Sequence, residues 1–248
     1  MHIDVIANVG ETRVIDLANR TVIVIDVLRA TSTIVTALAN GAIGVVPVET
    51  VGQAKQCSTA EDLLGGERYC KKITGFHAGN SPFEYMGEHI RGRRIVMTTT
   101  NGTRAIQKAV RADHILAGSF LNAHVCAQAA VQLRKDVALL CAGTQDTFAL
   151  EDGLCAGLLV HELMQASSHA PSSITTNDLG STLLSAYLFH ENNLLQALTN
   201  SASGKRLIKL GFERDIAYCA SINSVPLVPY FNHQMMVPVN DAIIMPAI

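Results

Sequence analysis

Hydrophobic residues fall along the chain in short blocks that alternate with polar turns and with segments of helical period. The first clear block, Val22-Ile23-Val24-Ile25, is β-branched and uninterrupted, as in a strand buried on both faces. It stops at Asp26. Arg29, Thr31, Ser32 and Thr33 then lead into a helix expected from Ser32 to Ala39, which ends on Asn40-Gly41, a common C-terminal signal. Ile43 to Val48 reads as the next strand, Thr50 to Cys57 as a short helix, and Leu63 to Arg68 as a strand closing on two glycines and a charged pair. Upstream, Ile3, Val5, Val14, Ile15 and Leu17 suggest short strands around an Asn8-Val9-Gly10 turn.

Between Tyr69 and Arg93 the pattern weakens into a Gly-, Asn- and Pro-bearing loop with one helical turn after Pro82. Phe76, Phe83 and Tyr85 give this loop something to pack with, which favours a functional role. From Arg94 the rhythm returns. Strand Ile95 to Thr99 precedes a helix from Arg104 to Val110, strand His114 to Ala117 precedes a helix from Leu121 to Leu133, and strand Val137 to Cys141 precedes a helix from Leu150 to Gln165. Repeated strand–turn–helix units predict an α/β fold with a largely parallel sheet flanked by helices. Residues 1–248 read as a single α/β unit, with a polar break at 167–177 as the place for any subdivision. Helices are expected at Leu179 to Leu188, Leu194 to Thr199, Lys205 to Leu210 and Asp215 to Ala220, and edge strands within Pro226 to Ile244.

Composition narrows the partners. Only 16% of residues are charged and Trp is absent, so much surface is expected to be buried, some of it in a homo-oligomer such as a dimer. A net charge of −2 with no long Lys/Arg run argues against nucleic acid and acidic membranes and leaves a small molecule. No apolar run is long enough to span a bilayer, and the opening MHIDVIANVGETR lacks the regions of a signal peptide, so a cytoplasmic location is expected. The six cysteines form no CxxC pair and read as reduced, structural thiols.

In an open parallel sheet the turns at the carboxyl ends of the strands face one crevice. Those turns supply Asp26, Glu67, Glu151 and Asp152, the hard oxygen donors that Mg²⁺ prefers. Arg29 and Arg68 suit phosphate or sulfonate oxygens, and Thr31, Ser32, Thr99, Thr100, Asn101, Gly102 and Thr103 crowd two helix starts with hydroxyl, amide and backbone donors. Asn80 and Ser81 in the long loop are placed to close over a ligand. Each has a structural alternative: Glu151 and Asp152 complement a helix dipole, Asp26 caps the next turn, Glu67 pairs with Arg68, either arginine pairs with a neighbouring carboxylate, and Asn80-Ser81 simply turns the chain before Pro82. The sequence has neither a dinucleotide glycine motif nor a P-loop, and His161-Glu162 lacks the second histidine of a zinc protease. Leu28 stands where an aspartyl-phosphate phosphatase would carry a second Asp, which argues against Asp26 as a covalent nucleophile.

The blocks DVLRATSTI at 26–34, GGER at 65–68, GF-x-x-GNSP at 75–82, TTNGT at 99–103, LED-x-x-CAG at 150–157 and LGF-x-x-DIA-x-CA at 210–220 together resemble the 2-phosphosulfolactate phosphatase (ComB) family. The resemblance implies a ComB-like α/β phosphatase fold and a Mg²⁺-dependent hydrolase. Such an enzyme removes phosphate from 2-phospho-3-sulfolactate, a small anionic phosphate ester on the route to coenzyme M. It departs from the family pattern at His77, where an acid is common, and at Asn223, where an Asp is common.

Overall fold

Alternating apolar blocks and amphipathic segments fold here into one mixed sheet with helices on both faces. The structure, a computed structural model, describes residues 1–167 and 174–239. The chain opens with β1 (His2–Ile6). Two 3-10 turns, Val9–Glu11 and Val14–Leu17, take the place of the further short strand expected there, because the Asn8 side-chain Oδ1 accepts the Gly10 amide and Arg13 and Asp16 cap each other. There follow β2 (Thr21–Ile25), α1 (Ala30–Ala39), β3 (Gly44–Pro47), α2 (Val51–Cys57), β4 (Leu63–Arg68) and β5 (Lys71–Lys72). The long loop holds two 3-10 turns, Pro82–Tyr85 and Glu88–Ile90. After it come β6 (Arg94–Thr98), α3 (Gly102–Lys108), β7 (His114–Gly118), α4 (Ala123–Gln132), β8 (Val137–Cys141), α5 (Leu150–Ala166), β9 (Thr175–Thr176) and α6 (Asp178–His190). Three short helices, α7 (Leu194–Asn200), α8 (Ala202–Lys209) and α9 (Glu213–Cys219), precede the hairpin β10 (Pro229–Phe231) and β11 (Met236–Pro238).

Among the described residues the sheet order is β5-β4-β6-β3-β11-β10-β7-β2-β8-β1-β9. Strands β9, β1, β8, β2 and β7 form one parallel block, and β3, β6 and β4 another. The last hairpin lies between the blocks, antiparallel to β7 on one side and to β3 on the other, so the two blocks run in opposite directions. These strands, expected at an edge, are therefore central. Phe231 and Met236 are buried, as their alternation suggests, but the sequence carries no mark of where a three-residue strand inserts. The rest of the expected terminal strand, residues 240–248, lies outside the described residues, as does much of the polar break at 167–177. No helix among the described residues is long and apolar enough to cross a membrane.

Strand β2 is buried at every position, and its alternate side chains serve two layers. Ile23 and Ile25 pack with β8 and the helices α4 and α5, whereas Val22 and Val24 pack with Ile34 and Leu38 of α1, Ile106 of α3, and Ile95 and Met97 of β6. Helix α1 is buried from Ala30 to Leu38 although four of those residues carry hydroxyls. Each hydroxyl donates to a backbone carbonyl: Thr31 to Asp26, Ser32 to Val27, Thr33 to Asn80 and Thr36 to Ser32. Burying them therefore leaves no unmet donor.

Because the blocks oppose one another, carboxyl ends do not converge by strand direction alone. The close seating of α3 on α1 joins them: a Cβ at Gly102 would stand 2.4 Å from the Ala30 Cβ and 2.6 Å from Asp26 Oδ2. Only a glycine lets the turn after β6 approach Asp26 so nearly. Since β10 and β11 form the seam between the blocks, a chain truncated after Ser224 is expected to lose its cooperative urea-unfolding transition by circular dichroism; a transition at the full-length midpoint would contradict that role.

Candidate active site

A cavity of about 490 Å³ opens where the ends of β2, β4 and β6 meet the first turns of α5 and α8. Of the residues singled out in the sequence, Asp26, Arg29, Glu67, Asn80, Thr100, Asn101 and Glu151 line it. Asp26 ends β2, and its Oδ1 accepts the Ala30 amide at 3.0 Å, so the side chain is turned by the start of the helix that follows it. Glu67 ends β4. One of its oxygens accepts the Thr100 amide and hydroxyl at 2.8 and 2.9 Å, and the other accepts the Cys70 amide at 2.7 Å. Glu151 sits in the first turn of α5, is 2% exposed, and makes no hydrogen bond through its carboxylate to another described residue.

The remaining candidates hold this wall from behind. Asp152, expected as a metal ligand, spends both oxygens on backbone amides, Val27 at 2.9 Å and Gly143 at 3.0 Å, and so ties the end of β2 to the turn after β8. Arg68, expected at the anion, points elsewhere: its guanidinium donates to the Glu67 and Glu49 carbonyls and to the Thr98 hydroxyl. Thr31 and Ser32 are fully buried and bonded to carbonyls, and Thr99 and Thr103 bond each other across the first turn of α3. Gly102 makes room for Asp26, and the Ser81 hydroxyl donates to Asp215 at 2.8 Å. These residues are structural supports rather than parts of the wall.

Arg29 is 2% exposed and paired with Asp215, a residue 186 positions away, while its guanidinium lies 4.3 Å over the Phe212 ring. Neither partner stood out as a site residue in the sequence beyond its place in the 210–220 block, since a lone Asp in a short helix carries no local signal. The far side of the cavity is formed by Ser203 and Arg206 of α8. Nothing in the sequence around Arg206 distinguishes it from Lys205 or Lys209. The six cysteines are free; four are buried, Cys57 is exposed and Cys70 lines the cavity.

No lysine, arginine or histidine forms an ion pair with Asp26, Glu67 or Glu151 among the described residues. The consequence is visible in Asp26: burial, with the charges of Glu67 and Glu151 adding to it, pushes its pKa up to about 7 against the pull of the Ala30 and Gly102 amides. Asp152 is likewise raised, by burial and then by the charges of Asp26 and Glu151. No three acidic, histidine or cysteine side chains form a ready-made metal cage among the described residues. Mg²⁺ does not need one, since it commonly takes one or two carboxylates and completes its octahedron with water and substrate phosphate. The wall also carries the Asn80 Oδ1, which is buried without a hydrogen-bond partner. Hard oxygens with uncompensated charge fit such a cation.

Carboxylates that need a cation, set beside an arginine, form the pairing used by enzymes that act on phosphate esters. Comparison with known proteins agrees. Residues 8–234 match the family model described as 2-phosphosulpholactate phosphatase. A protein of Symbiobacterium thermophilum named a probable 2-phosphosulfolactate phosphatase is 42% identical over 226 residues, 90% of this chain and 95% of its own. Proteins of the same name from Thermotoga maritima and Clostridium acetobutylicum are 45% identical over 213 residues and 38% identical over 237, covering 85% and 94% of this chain and 88% and 98% of their own. The chain belongs to the 2-phosphosulfolactate phosphatase family, a family of phosphoric monoester hydrolases.

A buried carboxyl with a raised pKa holds a proton in the folded state that the unfolded chain has already released. Its contribution is therefore favourable at acidic pH and is lost as pH rises from about 4 through about 7. In metal-free protein, wild type is expected to lose roughly 1–4 kcal/mol more than Asp26→Asn between pH 5 and pH 8 in urea unfolding. Parallel pH profiles for the two proteins would refute the placement of that charge.

Proposed function

We propose that this chain hydrolyses 2-phospho-3-sulfolactate to 3-sulfolactate and phosphate with Mg²⁺ in the cavity, on the fold particular to its family. The observation that carries the reading is the shared wall of Asp26, Glu67 and Glu151, buried with no cation paired to them among the described residues. Family membership supports the phosphatase activity and the substrate; the donor chemistry of the wall supports the metal. A place on the route to coenzyme M follows from that substrate and rests on it.

Asp26 and Glu151, with Asn80 Oδ1 as a neutral donor, are the residues that would hold Mg²⁺. When bound, the ion supplies Lewis-acid polarisation of the phosphoryl oxygens. Arg29 places its guanidinium against the ester; Asp215 and Phe212 fix its plane, and Ser81 fixes Asp215. Glu67 is held by three donors from Thr100 and Cys70, and a carboxylate so fixed suits orienting the attacking water and accepting its proton. Thr100 and Asn101 close the same wall, and Asp152 keeps the end of β2 in register with the turn after β8. Aligning and neutralising the phosphoryl group in this way is most of what its transfer requires.

Phosphate release from 2-phosphosulfolactate and from a panel of other phospho-hydroxy acids, with Mg²⁺ and with EDTA, tests the reading. Turnover is expected only with the metal and is expected to be fastest with 2-phosphosulfolactate. Faster release from a different ester would reject the substrate, and binding without release anywhere in the panel would reject the hydrolase. Asp26→Asn is expected to cut kcat by roughly 10²–10⁴-fold with an unchanged circular dichroism spectrum. Near-wild-type turnover would remove Asp26 from the mechanism.

A further inference from the structure

The substrate proposed above carries three anionic groups on a three-carbon frame: the phosphate, a carboxylate and a sulfonate. Three carboxylates line the cavity, and their charges repel such a molecule. Two arginines are the cationic side chains on that wall among the described residues. Arg29 is neutralised in place by Asp215. Arg206, half-buried on α8, lines the cavity and forms no ion pair with any described residue. Ser203, one turn earlier on the same helix, lines the cavity beside it. Asp26, Glu67 and Arg206 line the one cavity, so the two charge types border one small volume. That volume has room for more than a phosphate group.

We infer that Arg206, with Ser203, forms the subsite for a second oxyanion of the substrate, its sulfonate or its carboxylate, and thereby sets specificity for multiply charged esters. The inference rests on the phosphatase reading. A guanidinium offers paired N–H donors in a plane that matches two oxygens of either group. The carboxylate is bonded to the carbon that bears the phosphate and the sulfonate is one methylene further, so either can point away from the phosphate toward Arg206 while the phosphate stays at the carboxylate end.

The test compares wild type, Arg206→Gln and Arg206→Lys on three esters: 2-phosphosulfolactate, 2-phospholactate, which lacks the sulfonate, and the phosphate ester of 2-hydroxyethanesulfonate, which lacks the carboxylate. Arg206→Gln is expected to raise KM for 2-phosphosulfolactate about 10- to 100-fold while kcat is nearly kept, and Arg206→Lys to recover part of the loss. A penalty that persists with the ethanesulfonate ester and vanishes with 2-phospholactate assigns the subsite to the sulfonate; the reverse assigns it to the carboxylate. An equal penalty on all three esters, a loss confined to kcat, or an unchanged KM would overturn the inference. Calorimetric binding of 3-sulfolactate, which needs no turnover, is expected to weaken by a similar factor in Arg206→Gln. If wild type hydrolysed none of the esters, the proposed reaction would fail while this binding contrast still decided the role of Arg206.

Discussion

Asp26, Glu67 and Glu151 share one buried wall with no cation paired to any of them among the described residues, and burial together with the charges of Glu67 and Glu151 raises the cost of ionising Asp26. The surrounding structure is arranged to keep them there. Backbone amides from Ala30, Thr100 and Cys70 supply part of the lost solvation of Asp26 and Glu67, whereas Glu151 receives none from the described residues. Glycine at 102 allows the turn after β6 to press against Asp26. Asp152 pins the turn after β8 to the end of β2 from behind. The unmet charge is thus a property of the fold, and a bound cation is the partner that would relieve it.

The same site depends on a contact made over a long stretch of sequence. Arg29, from the turn after β2, is buried and is matched by Asp215 from α9, with Ser81 of the long loop on the other carboxylate oxygen. Three separate parts of the chain therefore meet at one ion pair. Removing one member of a buried pair leaves the other charge uncompensated, a loss of about 3–5 kcal/mol. Fixing the guanidinium in this way costs mobility but holds its plane, with the Phe212 ring beneath it. Arg206, by contrast, forms no ion pair among the described residues.

Local pattern carries the strands and helices well where they are long or buried. Val137–Cys141 and Leu63–Arg68 fall where their apolar runs place them, and the helix after Ala149 begins at Leu150. The hairpin of β10 and β11 does not read as central, because three-residue strands bounded by Pro229 and Pro238 look like edge elements. Site residues follow the same division. Asp26, Glu67 and Glu151 stand at strand ends or helix starts, positions that point to a crevice on any α/β sheet, and all three line the cavity. Arg68, Asp152, Thr31, Ser32, Thr99 and Thr103 occupy the same kinds of position, yet their polar atoms are used within the fold; position along the chain cannot tell which way a side chain turns. Asp215 and Arg206 come from helices with no strand before them, and only tertiary packing brings them to the wall.

A crystal of this protein soaked with Mn²⁺, as an anomalous scatterer in place of Mg²⁺, tests the central claim most directly. An anomalous peak is expected in the cavity, coordinated by the carboxylates of Asp26 and Glu151. A cavity without a peak at saturating Mn²⁺, or an ion held elsewhere with both carboxylates unbound, would contradict it.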